Sequence, residues 1–112
     1  MRILATLFTI LFLAQPAPSH EFWIEPLSYR IQPGEEIKAD LKVGQKFNGS
    51  SYPYRPSQIE RFDLIQDGTV TEVAARIGDN PALGMAVPQD GLLVVVHETT
   101  DNRLTYTEFH KF

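Results

Sequence analysis

The sequence predicts an all-β protein, an immunoglobulin-like β-sandwich that follows a secretory signal peptide. The segment EIKADLKVG, residues 36–44, alternates strictly between apolar and polar side chains, as a half-buried strand does. Turn signals recur about every ten residues and separate six or seven short apolar segments, which is typical of a sandwich. An apolar run near the N-terminus is the third observation, and it indicates export.

The apolar run extends from Ile3 to Ala14 and follows one positive residue, Arg2. It is too short for a membrane-spanning helix, which needs about 20 apolar residues, but it suits the apolar region of a signal peptide. Small residues stand at the third and first positions before His20. We therefore expect residues 1–19 to be the signal peptide and residues 20–112 to be the β-sandwich domain. The protein is expected to be periplasmic or secreted, and to meet the membrane only through its signal peptide.

The first predicted turn and strand come soon after the export signal. Residues 32–35, with the sequence QPGE, place proline and glycine at the two central positions of a type II turn. The strand at 36–44 follows directly. Its apolar side chains are expected to face the core, and they are Ile37, Ala39, Leu41 and Val43.

Two Asp-Gly pairs mark later turns. Asp67-Gly68 separates the segments 59–66 and 69–77, so it predicts a two-residue β-hairpin. Asp90-Gly91 precedes LLVVV at 92–96. This continuous run, rich in β-branched residues, suits a strand that is buried on both faces.

A helix is predicted to begin near the C-terminus. Thr105 and Glu108 have the spacing of a capping box, and aromatic residues at 106, 109 and 112 fall on one side of a helix. The sequence stops one turn into this helix, and a single turn is not stable alone. We therefore expect the chain to be the N-terminal part of a longer protein.

Composition argues against several classes of function. The formal net charge is −4, and the predicted mature chain loses Arg2 with its signal peptide, so nucleic acid is not an expected partner. Cysteine is absent, which excludes disulfides and a cysteine nucleophile. The sequence also lacks a G-x-S-x-G motif and a glycine-rich phosphate loop. We do not expect the chain to be an enzyme.

A histidine at the predicted mature N-terminus suggests a metal site. If His20 comes first, its α-amine and imidazole can chelate one ion together, and the metal favours their deprotonated forms. His97, at the end of the LLVVV segment, would add a third nitrogen, and Glu21 or Glu98 would add an oxygen. His110, in the predicted helix, is a further candidate.

Such nitrogen donors suit Ni²⁺ and Co²⁺, and Cu²⁺ would bind them in vitro because it forms the tightest complexes of the divalent series. Cleavage after Ala17 instead would begin the protein with Pro18-Ser19-His20. A histidine in third place completes a square-planar copper or nickel site with the amine and two amides. The alternative is that the three histidines are ordinary hydrogen-bonded groups, since no HxxxH spacing occurs.

A second hypothesis assigns function to the loop GSSYPYRPSQ, residues 49–58. Its Tyr52, Tyr54 and Arg55 either cap one end of the sandwich with their rings packed or bind a protein or polysaccharide partner. In the second case the domain is a non-enzymatic interaction module, and its histidines have no part in binding.

Several segments together resemble the N-terminal part of a bacterial periplasmic family of unknown function that is associated with nickel and cobalt uptake transporters. They are HEFWIEP after the signal peptide, the PGEEI turn, LKVGQKFNGSSYPYRP and VVVHETTDNRLTYTEFHKF, and they cover residues 20–112. The resemblance implies an exported β-sandwich that assists a nickel or cobalt transporter in the membrane. His20 matches the family's leading histidine and His97 the histidine before E-T-T, and a ligand role for both is our inference.

Overall fold

The computed structural model describes residues 19–87, 89–101, 103 and 105. Nearly all of the predicted signal peptide, the predicted C-terminal helix and His110 lie outside these residues. No helix within them is long and apolar enough to cross a membrane. The strands of the described chain are β1 (Glu21–Pro26), β2 (Glu36–Gln45), β3 (Asn48–Tyr52), β4 (Ile59–Gln66), β5 (Thr69–Glu72), β6 (Leu83–Ala86) and β7 (Leu93–Thr99).

Two antiparallel sheets pack against each other, which confirms the predicted all-β sandwich. Strand β2 is central in the first sheet, where β1 pairs with one of its edges. Strands β3 and β6 pair with the two halves of its other edge. Strand β4 is central in the second sheet, between β5 and β7.

The predicted turns form because their glycines reach backbone angles that other residues rarely adopt. Gly34 has a φ of 88°, and the amide of Glu35 donates to the carbonyl oxygen of Gln32 at 3.0 Å, as in a type II turn. Asp67 and Gly68 have φ values of 49° and 75° and join β4 to β5. The two-residue turn between β2 and β3 was not predicted.

The core lies between the two central strands. The alternation in β2 buries Ile37, Ala39 and Leu41 against residues of β4, because alternate side chains of a strand point to one face. Leu41 and Leu83 are the largest fully buried side chains among those described. The remaining members of this core are Phe62, Leu64, Val73, Ala82 and Val87.

The prediction that LLVVV is buried on both faces is wrong. Strand β7 is an edge strand, and the outward side chains of the LLVVV segment meet solvent. Leu92, just before β7, is 79% exposed and Val94, within it, is 41% exposed. Its inward residues Leu93 and Val95 pack against the core. A run of apolar residues cannot by itself distinguish a central strand from an edge strand, because both present one face to the core.

Candidate functional site

His97 lies at the end of β7 with its ring held between two phenylalanine rings from opposite sheets. The ring centroid of Phe62, on β4, is 5.0 Å away at an interplanar angle of 78°. The ring centroid of Phe22, on β1, is 5.1 Å away at 36°. His97 is directly opposite Phe62 in the strand register, so alternation turns both side chains inward. These contacts tie the first sheet to the second at this position.

The Nε2 atom of His97 is buried and has no hydrogen-bond partner among the described residues. A buried polar atom of this kind costs on the order of 1–3 kcal/mol, so its presence calls for an explanation. Burial also lowers the pKa of the His97 imidazole below its ordinary value of 6.5. The ring is therefore neutral at neutral pH, which is the form that binds a metal ion.

A cavity of about 190 Å³ lies beside His97 between the two sheets. We call it the His97 pocket. Its walls are mainly apolar, and its polar groups are an amide and hydroxyls, with no carboxylate among the described residues that line it. The lining residues are Phe22, Leu41, Val43, Tyr52, Gln58, Ile59, His97, Thr99 and Thr100.

His20 is exposed and directly precedes β1. It is two residues before Phe22, whose ring contacts His97. Residues two apart in an extended chain share a face, so the start of β1 runs toward the same end of the sandwich as the His97 pocket. The alternation in HEFW therefore indicates that Phe22 faces inward. Phe22 was not among the predicted site residues.

The two acidic candidates lie on the opposite side of their strands from the inward residues. Glu21 is exposed, and its Oε2 accepts a long hydrogen bond of 3.5 Å from the amide of Phe47. Glu98 is exposed and lies opposite Arg61 on the second sheet. Glu21 directly precedes Phe22 and Glu98 directly follows His97, and successive side chains of a strand point to opposite faces. Since Phe22 and His97 face inward, the two carboxylates face away from the His97 ring.

No group of three or more histidine, cysteine, aspartate or glutamate side chains is arranged to hold a metal ion in the described part of the chain. Cleavage before His20 would add a main-chain amine as a further nitrogen donor. By the alternation of an extended chain, His20 falls on the same face as Phe22, and it stays a predicted ligand together with His97.

Comparison with known protein families, curated proteins and solved structures found no match for this chain. The resemblance to a nickel and cobalt uptake family therefore stays a prediction.

The prediction of a loop at 49–58 is wrong for residues 49–52, which belong to β3 because their backbone pairs with β2. Residues 56–58 form a short 3-10 helix, and packing holds the rest of the segment. The ring of Tyr54 stacks on Phe62 at 6.4 Å, and its backbone exchanges hydrogen bonds of 2.9 Å with Gly78 and Asp79. The guanidinium of Arg55 lies 5.1 Å from the ring centroid of Tyr52. Both tyrosines are half-buried, and this agrees with the expectation that they cap the end of the sandwich.

Proposed function

We propose that this protein is an exported, non-enzymatic module that binds one divalent transition metal ion and assists nickel or cobalt uptake. His20 would contribute its α-amine and imidazole after cleavage, and His97 would contribute Nε2. The metal is cargo, so Ni²⁺ or Co²⁺ must be released to a transporter in the membrane. Three nitrogen donors, without a carboxylate, suit these ions and leave the coordination incomplete enough for release.

The observation that carries the proposal is that Nε2 of His97 is buried and has no hydrogen-bond partner within residues 19–87, 89–101, 103 and 105. A neutral imidazole with a free nitrogen is ready to coordinate a metal, whereas a histidine kept for structure alone would be expected to have a hydrogen-bond partner. Its contact with Phe22 supports a shared site, because β1 begins next to this residue. Phe22 is 43% exposed, and the proposal requires its ring to turn aside when an ion approaches.

Native mass spectrometry of the protein recovered from the periplasm of an expression host tests this function. Added Ni²⁺ or Co²⁺ should give one bound ion on a chain whose mass begins at His20. Insertion of one alanine before His20 should abolish tight binding, because the amine and imidazole would no longer form the same chelate. His97→Phe should also weaken it.

Glu98→Gln is the matched control, since Glu98 lies beside His97 but faces the other side of the sheet. It should bind the metal as the unmodified protein does. If the alanine-extended protein and His97→Phe both bound the metal as tightly as the unmodified protein does, the proposal would be refuted.

A further inference from the structure

Trp23 lies on the outer face of the first sheet, opposite the face that carries Phe22. Its Cα is paired with that of Lys42 on β2. A Cβ built on Gly49, which belongs to β3, would lie 2.8 Å from Cη2 of Trp23. The indole therefore reaches from β1 across β2 toward β3, along the sheet surface.

Two paired glycines leave space for the indole of Trp23 on the surface of the sheet. Gly44 and Gly49 are directly opposite each other on β2 and β3. A Cβ at Gly49 would also collide with the carbonyl oxygen of Val43, and a Cβ at Gly44 would collide with the backbone of Asn48. The backbones approach closely here, and no side chain stands between the indole and the sheet. Trp23 is half-buried, so part of its surface remains open to solvent.

Phe47 forms a second wall beside the indole. The two ring centroids are 5.9 Å apart at an interplanar angle of 73°, so the rings meet almost at a right angle. Phe47 is 80% exposed and has a φ of 56°, in the left-handed region that bulky residues rarely adopt. Glycine or asparagine would satisfy this turn with less strain, and strained residues cluster at functional sites.

Charged groups flank this aromatic corner. The Nζ atom of Lys42 lies 2.7 Å from Oε2 of Glu25, and this hydrogen bond raises the pKa of the lysine above its ordinary value. Glu25 is next but one to Trp23 on the same face of β1. The ammonium group of Lys42, the carboxylate of Glu25 and the half-buried indole of Trp23 thus belong to neighbouring positions on the outer face of β1 and β2.

We propose that Trp23 and Phe47 form a binding site for a pyranose ring of an equatorially linked glycan. The axial C–H groups of such a sugar make a flat apolar face that stacks on an indole. Its equatorial hydroxyls point sideways, where Lys42 donates hydrogen bonds and Glu25 accepts them. A second aromatic ring at a right angle limits how the sugar turns. This site is separate from the His97 pocket, because Trp23 and Phe22 point to opposite faces of β1.

Trp23 is the single tryptophan of the sequence, so tryptophan emission, excited selectively over tyrosine, reports on this site. Titration of the mature protein with cellohexaose and with the hexamer of N-acetylglucosamine should shift its emission saturably with at least one of them. Metal chelation with EDTA should leave the titration unchanged, which separates this site from the metal proposal. Unchanged emission with both sugars up to about 10 mM, a range that reaches millimolar affinities, would overturn the proposal.

Phe47→Gly is the decisive variant, because glycine adopts the observed φ without strain and folding should not suffer. It should weaken sugar binding at least tenfold. Asp67→Gly is the matched control: it relieves a positive φ of 49° in the other two-residue hairpin and should bind normally. Equal affinity in Phe47→Gly and the unmodified protein would also overturn the assignment.

Discussion

The ring of Phe22 lies 5.1 Å from the ring of His97, and this contact joins the two sheets beside the predicted mature N-terminus. Phe22 is 43% exposed, whereas Nε2 of His97 is buried and finds no hydrogen-bond partner in the part of the chain that the structure describes. Under the proposed function, the phenylalanine ring therefore lies against the imidazole that would bind the metal. Two predictions follow from this arrangement, and a third concerns the opposite face of the first sheet.

Stability of the metal-free protein should depend on the protonation of His97. The unfolded imidazole titrates near pH 6.5, and burial lowers the pKa in the folded protein. Between the two pKa values the unfolded state binds more protons, so the free energy of unfolding falls as pH drops below about 6.5 and levels off below the folded-state pKa. Urea unfolding in EDTA, from about pH 8 to about pH 5, measures this.

His97→Phe is the reference for that measurement, because other titrating groups are common to both proteins. The difference in urea midpoint between the variant and the unmodified protein should be constant above about pH 6.5. Below that pH the midpoint of the unmodified protein should fall relative to that of the variant. Parallel profiles across the whole range would contradict a burial effect at His97.

Truncation of Phe22 should speed metal binding. In Phe22→Ala the ring that contacts His97 is gone, so an ion reaches Nε2 without first displacing it. We expect stopped-flow association of Co²⁺ to become faster, with an affinity at least as high. Leu27→Ala, which removes a 58% exposed apolar side chain just beyond β1, should leave the rate unchanged. Slower binding by Phe22→Ala would show that its ring helps to hold the site.

Gly49→Ala should destabilise the protein and disturb the environment of Trp23. The new methyl group would meet the backbone of β2 and the indole, and forcing extra volume into a filled position costs about 1–3 kcal/mol. Urea unfolding followed by tryptophan fluorescence reports both effects. Gly84→Ala, also on the first sheet, places its Cβ more than 4 Å from the described atoms around it and should be nearly neutral. Equal stability of the two variants would argue against the close approach.

Local patterns predicted much of the fold. The alternation at 36–44 identified a strand and its buried face, because side-chain period and burial are linked within one strand. QPGE and Asp67-Gly68 identified two turns, because the backbone angles of these turns suit particular residues. The turn at Lys46 and Phe47 was missed because neither residue favours its φ of 52° or 56°, so no local signal existed.

The candidate site was only partly accessible to the same reasoning. The sequence predicts His20 and His97 as nitrogen donors, and this stays a prediction. The two phenylalanine rings beside the His97 ring depend on how the two sheets come together. The pair of glycines beside Trp23 could not be predicted from the sequence either, since Gly44 and Gly49 meet only after β2 and β3 pair. Residue type indicates which chemistry is available, whereas contacts between strands decide which groups meet.

The sequence by itself determined the strand-rich class, the main turns, the inward face of β2 and the absence of disulfides, because each depends on neighbouring residues or on composition. Tertiary structure alone decided that β7 is an edge strand and that Glu21 and Glu98 face away from His97. It also decided that Nε2 of His97 has no hydrogen-bond partner among the residues described. These features depend on sheet order and on packing between sheets. Such contacts join residues distant in the chain, and no short-range pattern records them.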